Sequence, residues 1–246
     1  MKQSIFTIQE NVEIAKNIFR MVLEGDTNGV TAPGQFVNIR LAGKFLRRPI
    51  SIADWDEKTI TLLYKVVGSG TDEMAQMRRG EYLDLLTGLG NGFSVLNLGK
   101  TLLVGGGIGL APLYGLAKRC EGGNVTVVIG AARKEELFYV DEFKALGAKV
   151  VISTDDGSEG IKGFVTDAIR TLNDEFDALY CCGPMPMMKA VYKLCDNMTV
   201  AAQFSLEERM GCGFGACVGC SVEVKGGISK RVCKDGPVFR KEELIW

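Results

Sequence analysis

The sequence predicts a multi-domain β plus α/β protein: an antiparallel β-barrel over residues 1–98, a parallel-sheet α/β domain over 99–204, and a small cysteine-bearing domain over 205–246. Three observations predict it. Up to about residue 98, apolar and polar residues alternate over short runs broken by glycine turns, the period of half-buried strands. Beyond that point, near-continuous Val, Leu and Ile runs alternate with helix-like stretches of roughly 10 to 15 residues, the rhythm of parallel strands covered on both faces. The chain then places three cysteines and four glycines in "GCGFGACVGCS", residues 211–221, although it contains no histidine.

The elements follow in order. "SIFTIQENVEIAKNIFRMVLEG", "QFVNIRL", "RRPISIADWDEKTITLLYKVV" and "EYLDLLTGLG" supply the barrel strands. One helix interrupts them, "TDEMAQMRRG", with Thr71 expected as N-cap and Gly80 as its stop. The α/β strands are "TLLVGG", "NVTVVIGAA", "AKVVIST", "DALYCCG" and "TVAAQF". The last region holds a hairpin, "CSVEVKGGISKRVC", turning at Gly226 and Gly227. It is too small to bury a core of its own, so a metal or a partner must supply what burial cannot.

Composition narrows the function classes. A net charge of −1 offers no basic field for nucleic acid. The opening "MKQSIFTIQENVEIAK" turns polar within nine residues and lacks the apolar stretch of a signal peptide, so the expected location is the cytoplasm. In that reducing compartment the eight cysteines favour metal binding or burial over disulfides. The uncharged run 101–117, "TLLVGGGIGLAPLYGLA", is shorter than a membrane span and carries five glycines and a proline, so no membrane helix is expected.

Cys212, Cys217, Cys220 and Cys233 stand in the spacing C-x4-C-x2-C-x12-C, whose first three members match the plant-type [2Fe–2S] pattern. Four thiolates offset the iron charge, and small residues at 211, 213, 215 and 219 let the backbone wrap tightly and aim N–H groups at sulfur. Structural zinc is the competing occupant, but closed zinc sites usually present two close ligand pairs, and here only 217 and 220 form one. Cys120, Cys181, Cys182 and Cys195 are expected as buried side chains of the α/β region.

"VGGGIGLAP", residues 104–112, follows a buried strand and opens a helix, where glycines let a diphosphate approach backbone N–H groups. A tight strand-to-helix turn is the other reading of these residues. "STDDG", 153–157, ends the third α/β strand; Asp155 and Asp156 there are suited to accepting ribose hydroxyls and would repel a 2′-phosphate, which favours NAD over NADP. A solvated helix-capping pair is the alternative. In "LRRPIS", Arg47 and Arg48 stand beside a proline-stiffened strand with the chemistry to hold a phosphate, and "GSGT", 68–71, offers a helix-start geometry for an anion.

Taken together and in this order, "RRPIS", "LLYKVVGSGT", "GGGIGLAPL", "CCGPMPM" and "GCGFGACVGC…C" resemble the electron-transfer subunit of NAD-dependent, type B dihydroorotate dehydrogenase, within the ferredoxin-reductase-like family. The resemblance covers nearly the whole chain. It implies a flavin-binding barrel, an NAD-binding α/β domain and a C-terminal [2Fe–2S] domain. Arg48, Pro49, Ile50 and Ser51 match the family's flavin motif, with Arg48 at the FAD diphosphate and Ser51 near the isoalloxazine. Many ferredoxin reductases carry an aromatic residue where this chain has Ile50. Leu63, Tyr64 and Lys65 match the next flavin-contacting strand, and Gly70 and Thr71 the diphosphate turn. Gly106 and Gly107 match the NAD diphosphate site, and Cys182, Gly183 and Pro184 the segment beside the nicotinamide.

The resemblance also implies a partner: an FMN-containing catalytic subunit that oxidises dihydroorotate, assembled with this chain as a heterotetramer of two of each. Electrons would pass from that FMN through [2Fe–2S] and FAD to NAD+. The chain has no second flavin site and no barrel large enough for the oxidation itself, so its own groups position and tune cofactors, with no catalytic acid or base among them. The same motifs allow two other readings: an NAD(P)H-dependent ferredoxin or sulfide reductase subunit, and a redox-sensing module that binds flavin and cluster without turnover.

Overall fold

The computed structural model describes residues 1–96, 98–120 and 124–246. Its first half is a closed six-stranded barrel built from β1 (Lys2–Ala15), β2 (Ile18–Glu24), β3 (Phe36–Arg40), β4 (Arg48–Trp55), β5 (Thr59–Lys65) and β6 (Tyr82–Leu89), in the order β1-β2-β5-β4-β3-β6 and antiparallel throughout. Alternate side chains, among them Ile8, Val37, Ile39, Ile52, Leu62 and Leu85, fill the interior, as the expected period of two requires.

Between β5 and β6 lies α1 (Ser69–Gln76). It begins earlier than expected. The N-cap is the extended Gly68, and Thr71 is the third helical residue, whose hydroxyl accepts the Gly68 and Val67 N–H groups at 3.3 and 2.9 Å. Thr71 therefore closes the helix start from inside. The helix stops at Met77, and Gly80, with φ +90°, instead shapes the turn into β6.

The second half is a seven-stranded sheet. β7 (Thr101–Gly106), β8 (Val125–Ala131), β9 (Lys149–Thr154), β10 (Ile161–Lys162), β11 (Ala178–Cys182) and β12 (Ala201–Ser205) run parallel, and β15 (Val238–Arg240) adds antiparallel beside β12. Helices α2 (Leu110–Ala117), α3 (Val140–Ala145), α4 (Val165–Arg170) and α5 (Met185–Leu194) connect the parallel strands. The order β10-β9-β8-β7-β11-β12-β15 reverses direction at β7, which makes the crevice between the carboxyl ends of β7 and β11 the place where such sheets bind ligands.

The expected boundary at 204/205 falls inside β12, and β15, from the cysteine-bearing region, completes the α/β sheet. The rest of that region carries the expected hairpin of β13 (Ser221–Val224) and β14 (Ile228–Arg231), with Gly226 and Gly227 at φ +84° and +69° in its turn. Val232, Cys220, Cys233 and Phe239 share one buried cluster with Phe36 and Leu89 of the barrel and Leu179 and Phe204 of the sheet. The small region thus gains its core from its neighbours.

The barrel and sheet are held in fixed relation through β4 and α2. At Gly115 of α2 an added Cβ would lie 2.6 Å from the Ala53 carbonyl oxygen. One turn on, Lys118 and Arg119 both reach Asp54, and the Arg119 guanidinium lies 3.4 Å from the Trp55 ring centroid. Lys65 of β5 pairs with Glu136 at 2.8 Å across the same junction.

Candidate cofactor sites

β4 and β5 part where the expected flavin residues lie. Their ladder includes Trp55↔Ile60 and ends at Ile52↔Leu62. Beyond that point Arg48–Ser51 pair only with β3, and Leu63–Lys65 only with β2. Pro49 has no N–H to donate, which favours an open edge here. The two motifs therefore face each other across a gap whose backbone groups are free of sheet partners on that side. The Tyr64 hydroxyl does not enter this gap: it is buried, donates to Asn11 Oδ1 at 2.9 Å, and its ring stacks on Phe19. Leu63 is buried between barrel and sheet, and Lys65 is engaged with Glu136, so this strand offers a ligand its backbone edge first.

Arg48 lies against the start of α1. A Cβ at Gly70 would sit 2.3 Å from Arg48 Nε, so glycine here lets the Arg48 side chain lie close over the helix start. First-turn amides, which lack intrahelical partners, and a cation beside them make a place for a diphosphate. Arg47 plays a different part. It spans the Asn38 carbonyl at 3.2 Å and the Asp84 carboxylate at 3.0 Å, and so braces β3 against β6.

At the sheet's reversal point, glycines allow four segments to meet. A Cβ at Gly109 would lie 2.3 Å from the Cys182 carbonyl oxygen, and one at Gly183 3.0 Å from the Gly106 nitrogen. A Cβ at Gly106 would meet Met187 and Pro184, whereas Gly107, at φ +52°, borders open space. Gly106 is thus brought beside Gly183 and Pro184, and Gly109 beside Cys182. Burial pushes the Cys182 thiol up to about 12, so it stays protonated; Cys181 and Cys195 are buried, while Cys120 and Cys182 are only partly so.

Asp155 and Asp156 follow β9, with the Asp155 N–H donating to the Ala131 carbonyl at the end of β8. Asp156 is partly spoken for: it accepts the Ser158 hydroxyl at 2.6 Å and N–H at 3.0 Å, bonds that hold its carboxyl below the usual range. Asp155 has no side-chain partner among the described residues.

The cysteine loop wraps as its glycines require. Gly213 and Gly215 adopt φ +76° and +89°, and Gly211 and Gly219 lie beside the Cys217 sulfur. Cys212 Sγ and Cys217 Sγ are 3.5 Å apart, and the Cys217 N–H donates to Cys212 Sγ at 3.4 Å. Partial burial opposes ionisation of Cys212, but N–H groups of Cys217, Phe214 and Ala216 outweigh it and bring the thiol down to about 6. The second pair is buried, with the Cys233 N–H donating to Cys220 Sγ at 3.5 Å. Cys212 and Cys217 form a part-buried pair and Cys220 and Cys233 a buried one, four thiols on one wrapped loop with backbone N–H groups aimed at sulfur, a donor set that suits an iron–sulfur cluster.

Two contacts that the sequence does not announce fasten this loop to the barrel. Asn38 of β3 donates to the Cys212 carbonyl at 3.1 Å. Asn91, just past β6, donates to the Lys234 and Asp235 carbonyls at 3.1 and 3.2 Å, next to Cys233. Asn38 is visible in "QFVNIRL" as a polar residue within an apolar strand, but nothing local indicates a partner 174 residues away.

A barrel with one parted strand pair, backed by a parallel sheet with a glycine-lined reversal point, defines a ferredoxin-reductase-like oxidoreductase, here with an iron–sulfur segment at its far end. Comparison with solved structures agrees: a chain of the NADH-dependent reduced ferredoxin–NADP oxidoreductase, studied for flavin-based electron bifurcation, superposes with a TM-score of 0.90 at 38% identity, over 99% of this chain and 90% of that one. Residues 207–245 match the model of the iron-sulfur cluster binding domain of dihydroorotate dehydrogenase B, and residues 103–193 that of the oxidoreductase NAD-binding domain. The electron transfer subunit of dihydroorotate dehydrogenase B (NAD(+)) from Caldanaerobacter subterraneus subsp. tengcongensis is 42% identical over 97% of both chains, and that of Fusobacterium nucleatum subsp. nucleatum 45% identical over 99% of both. The chain belongs to the family of dihydroorotate dehydrogenase B electron transfer subunits.

Proposed function

We propose that the chain carries electrons from a catalytic dihydroorotate dehydrogenase subunit to NAD+, as the electron-transfer half of the last redox step in making the pyrimidine ring. When bound, a [2Fe–2S] cluster supplies one-electron transfer and FAD couples it to the two-electron hydride chemistry of nicotinamide. Cys212, Cys217, Cys220 and Cys233 would hold the cluster. Arg48, Gly70 and the first turn of α1, with Thr71 shaping the turn, hold the flavin diphosphate, and the edges Pro49–Ser51 and Leu63–Lys65 receive the ring system. Gly106, Gly107 and the segment Cys182–Pro184 admit the nicotinamide nucleotide, and Asp155, with Asp156 behind it, accepts its ribose hydroxyls. Residues 1–98 carry the flavin, residues 99–204 with Ser205 and β15 the nucleotide, and the rest of 205–246 the cluster. The catalytic partner is FMN-containing and assembles two-plus-two with this chain in the cytoplasm.

The observation that carries this reading is the placement of the cysteine loop. Its backbone is tied by Asn38 to the strand that pairs with the flavin-motif strand, so cluster and flavin sites share one frame. A ferredoxin or sulfide reductase subunit is less supported, because the matching model for the cysteine segment is that of dihydroorotate dehydrogenase B. The test is purification from the native cell. A partner carrying FMN, equimolar with this chain, and NAD+ reduction driven by dihydroorotate only when both are present, are expected. Recovery with a ferredoxin-type partner and no dihydroorotate activity would contradict it.

A further inference from the structure

Asn38 is 1% exposed and lies 174 residues from the carbonyl it serves. Its Nδ2 donates to the Cys212 carbonyl, while its Oδ1, equally buried, has no donor among the described residues. A buried acceptor left unpaired costs stability and offsets part of what the Nδ2 bond contributes, so the one satisfied contact of this carboxamide is the one to the cluster loop. Its surroundings are built around it. Gly213, the residue after Cys212, has φ +76°, and a Cβ there would stand 2.3 Å from Asn38 Nδ2. On the other side Asn38 pairs in register with Pro49, and its own carbonyl accepts Arg47. One residue thus joins the cluster loop at a cysteine to the strand edge expected to receive the flavin.

From this geometry we infer that Asn38 is a positioning residue for electron transfer between cluster and flavin, a role that rests on the function proposed above. Its N–H fixes the Cys212 segment against β3 and withdraws electron density from the peptide next to a cluster ligand. Outer partners of this kind set ligand orientation and reduction potential. Asn91 anchors the loop beside Cys233, yet it is exposed and among the described residues pairs with no flavin-motif residue, which makes it the natural control.

The test uses the full chain loaded with FAD and cluster, reduced anaerobically with NADH. Flavin bleaching is followed by stopped flow, and the cluster by its EPR spectrum and midpoint potential. In Asn38→Ala, flavin bleaching is expected at the wild-type rate, cluster reduction slowed by about 10-fold or more, and the cluster potential and EPR signal shifted. Asn91→Ala is expected to leave all three near wild type. Should Asn38→Ala fail to hold its cluster, Asn38→Asp, which keeps the shape and loses the donor, takes its place with the same expected slowing, and Asn38→Gln should restore part of the rate. Wild-type cluster kinetics, potential and EPR signal in a cluster-loaded Asn38 variant, or equal slowing in Asn91→Ala, overturns the inference. Failure of NADH to reduce the cluster in the unaltered chain would instead count against the function on which it rests.

Discussion

Single residues divide here into those that local spacing announces and those that only the fold recruits. The four cluster cysteines belong to the first kind, since C-x4-C-x2-C is a property of one wrapped loop. Replacing Cys217 with serine should remove the cluster absorbance and iron while leaving bound FAD and NADH–dye activity; loss of flavin as well would show that the sites depend on each other. Arg48 stands between the two kinds. Its motif is legible, but its place over Gly70 is seen only when β4 and α1 meet. Arg48→Ala should weaken FAD retention by about 10- to 100-fold, read as flavin per chain after gel filtration, because a charge-assisted contact at a diphosphate is lost. Arg47, its sequence neighbour, looks identical on paper and instead pairs with Asp84. Asn38 and Asn91 belong wholly to the second kind: each donates to a carbonyl more than a hundred residues away.

At the scale of elements, the six barrel strands, five of the parallel strands, the hairpin and the change of rhythm near residue 98 were legible, because periodicity is a local consequence of which faces are buried; the short β10 and β15 were not. What periodicity does not carry is where a ladder stops. The parting of β4 and β5 beyond Ile52↔Leu62 depends on the register of three strands, and Pro49 alone hints at it. The start of α1 differs from the local signal for a similar reason: Thr71 has the chemistry of an N-cap, but the extended Gly68 takes that position and Thr71 serves it from the third site. The β7–α2 turn offers a sharp test of element packing. In Gly109→Ala the added Cβ would meet a backbone oxygen at 2.3 Å, which only movement of the turn or of β11 relieves. A stability loss of about 1–3 kcal/mol is expected by thermal or denaturant unfolding, with a raised KM for NADH and unchanged flavin content. An unchanged KM would separate this turn from the nucleotide.

For the whole molecule, the three sites are arranged on one frame and in one order. The Asp54, Trp55 and Arg119 contacts fix the nucleotide sheet to the flavin strand, and the two asparagines fix the cysteine loop to the other side of the same barrel. The sequence shows the three parts in line but not that β15 crosses back to complete the sheet, since a three-residue strand carries no periodicity of its own. Such a frame has a use only if electrons cross it. The most direct measurement is an anaerobic titration of the isolated, cofactor-loaded chain with NADH, following flavin absorbance and the cluster EPR signal together. With an electron-recycling excess excluded, uptake should reach about three electrons per chain, two at the flavin and one at the cluster, or about 1.5 NADH. An endpoint of about one NADH per chain, with the flavin bleached and the cluster still oxidised and EPR-silent, would contradict the account.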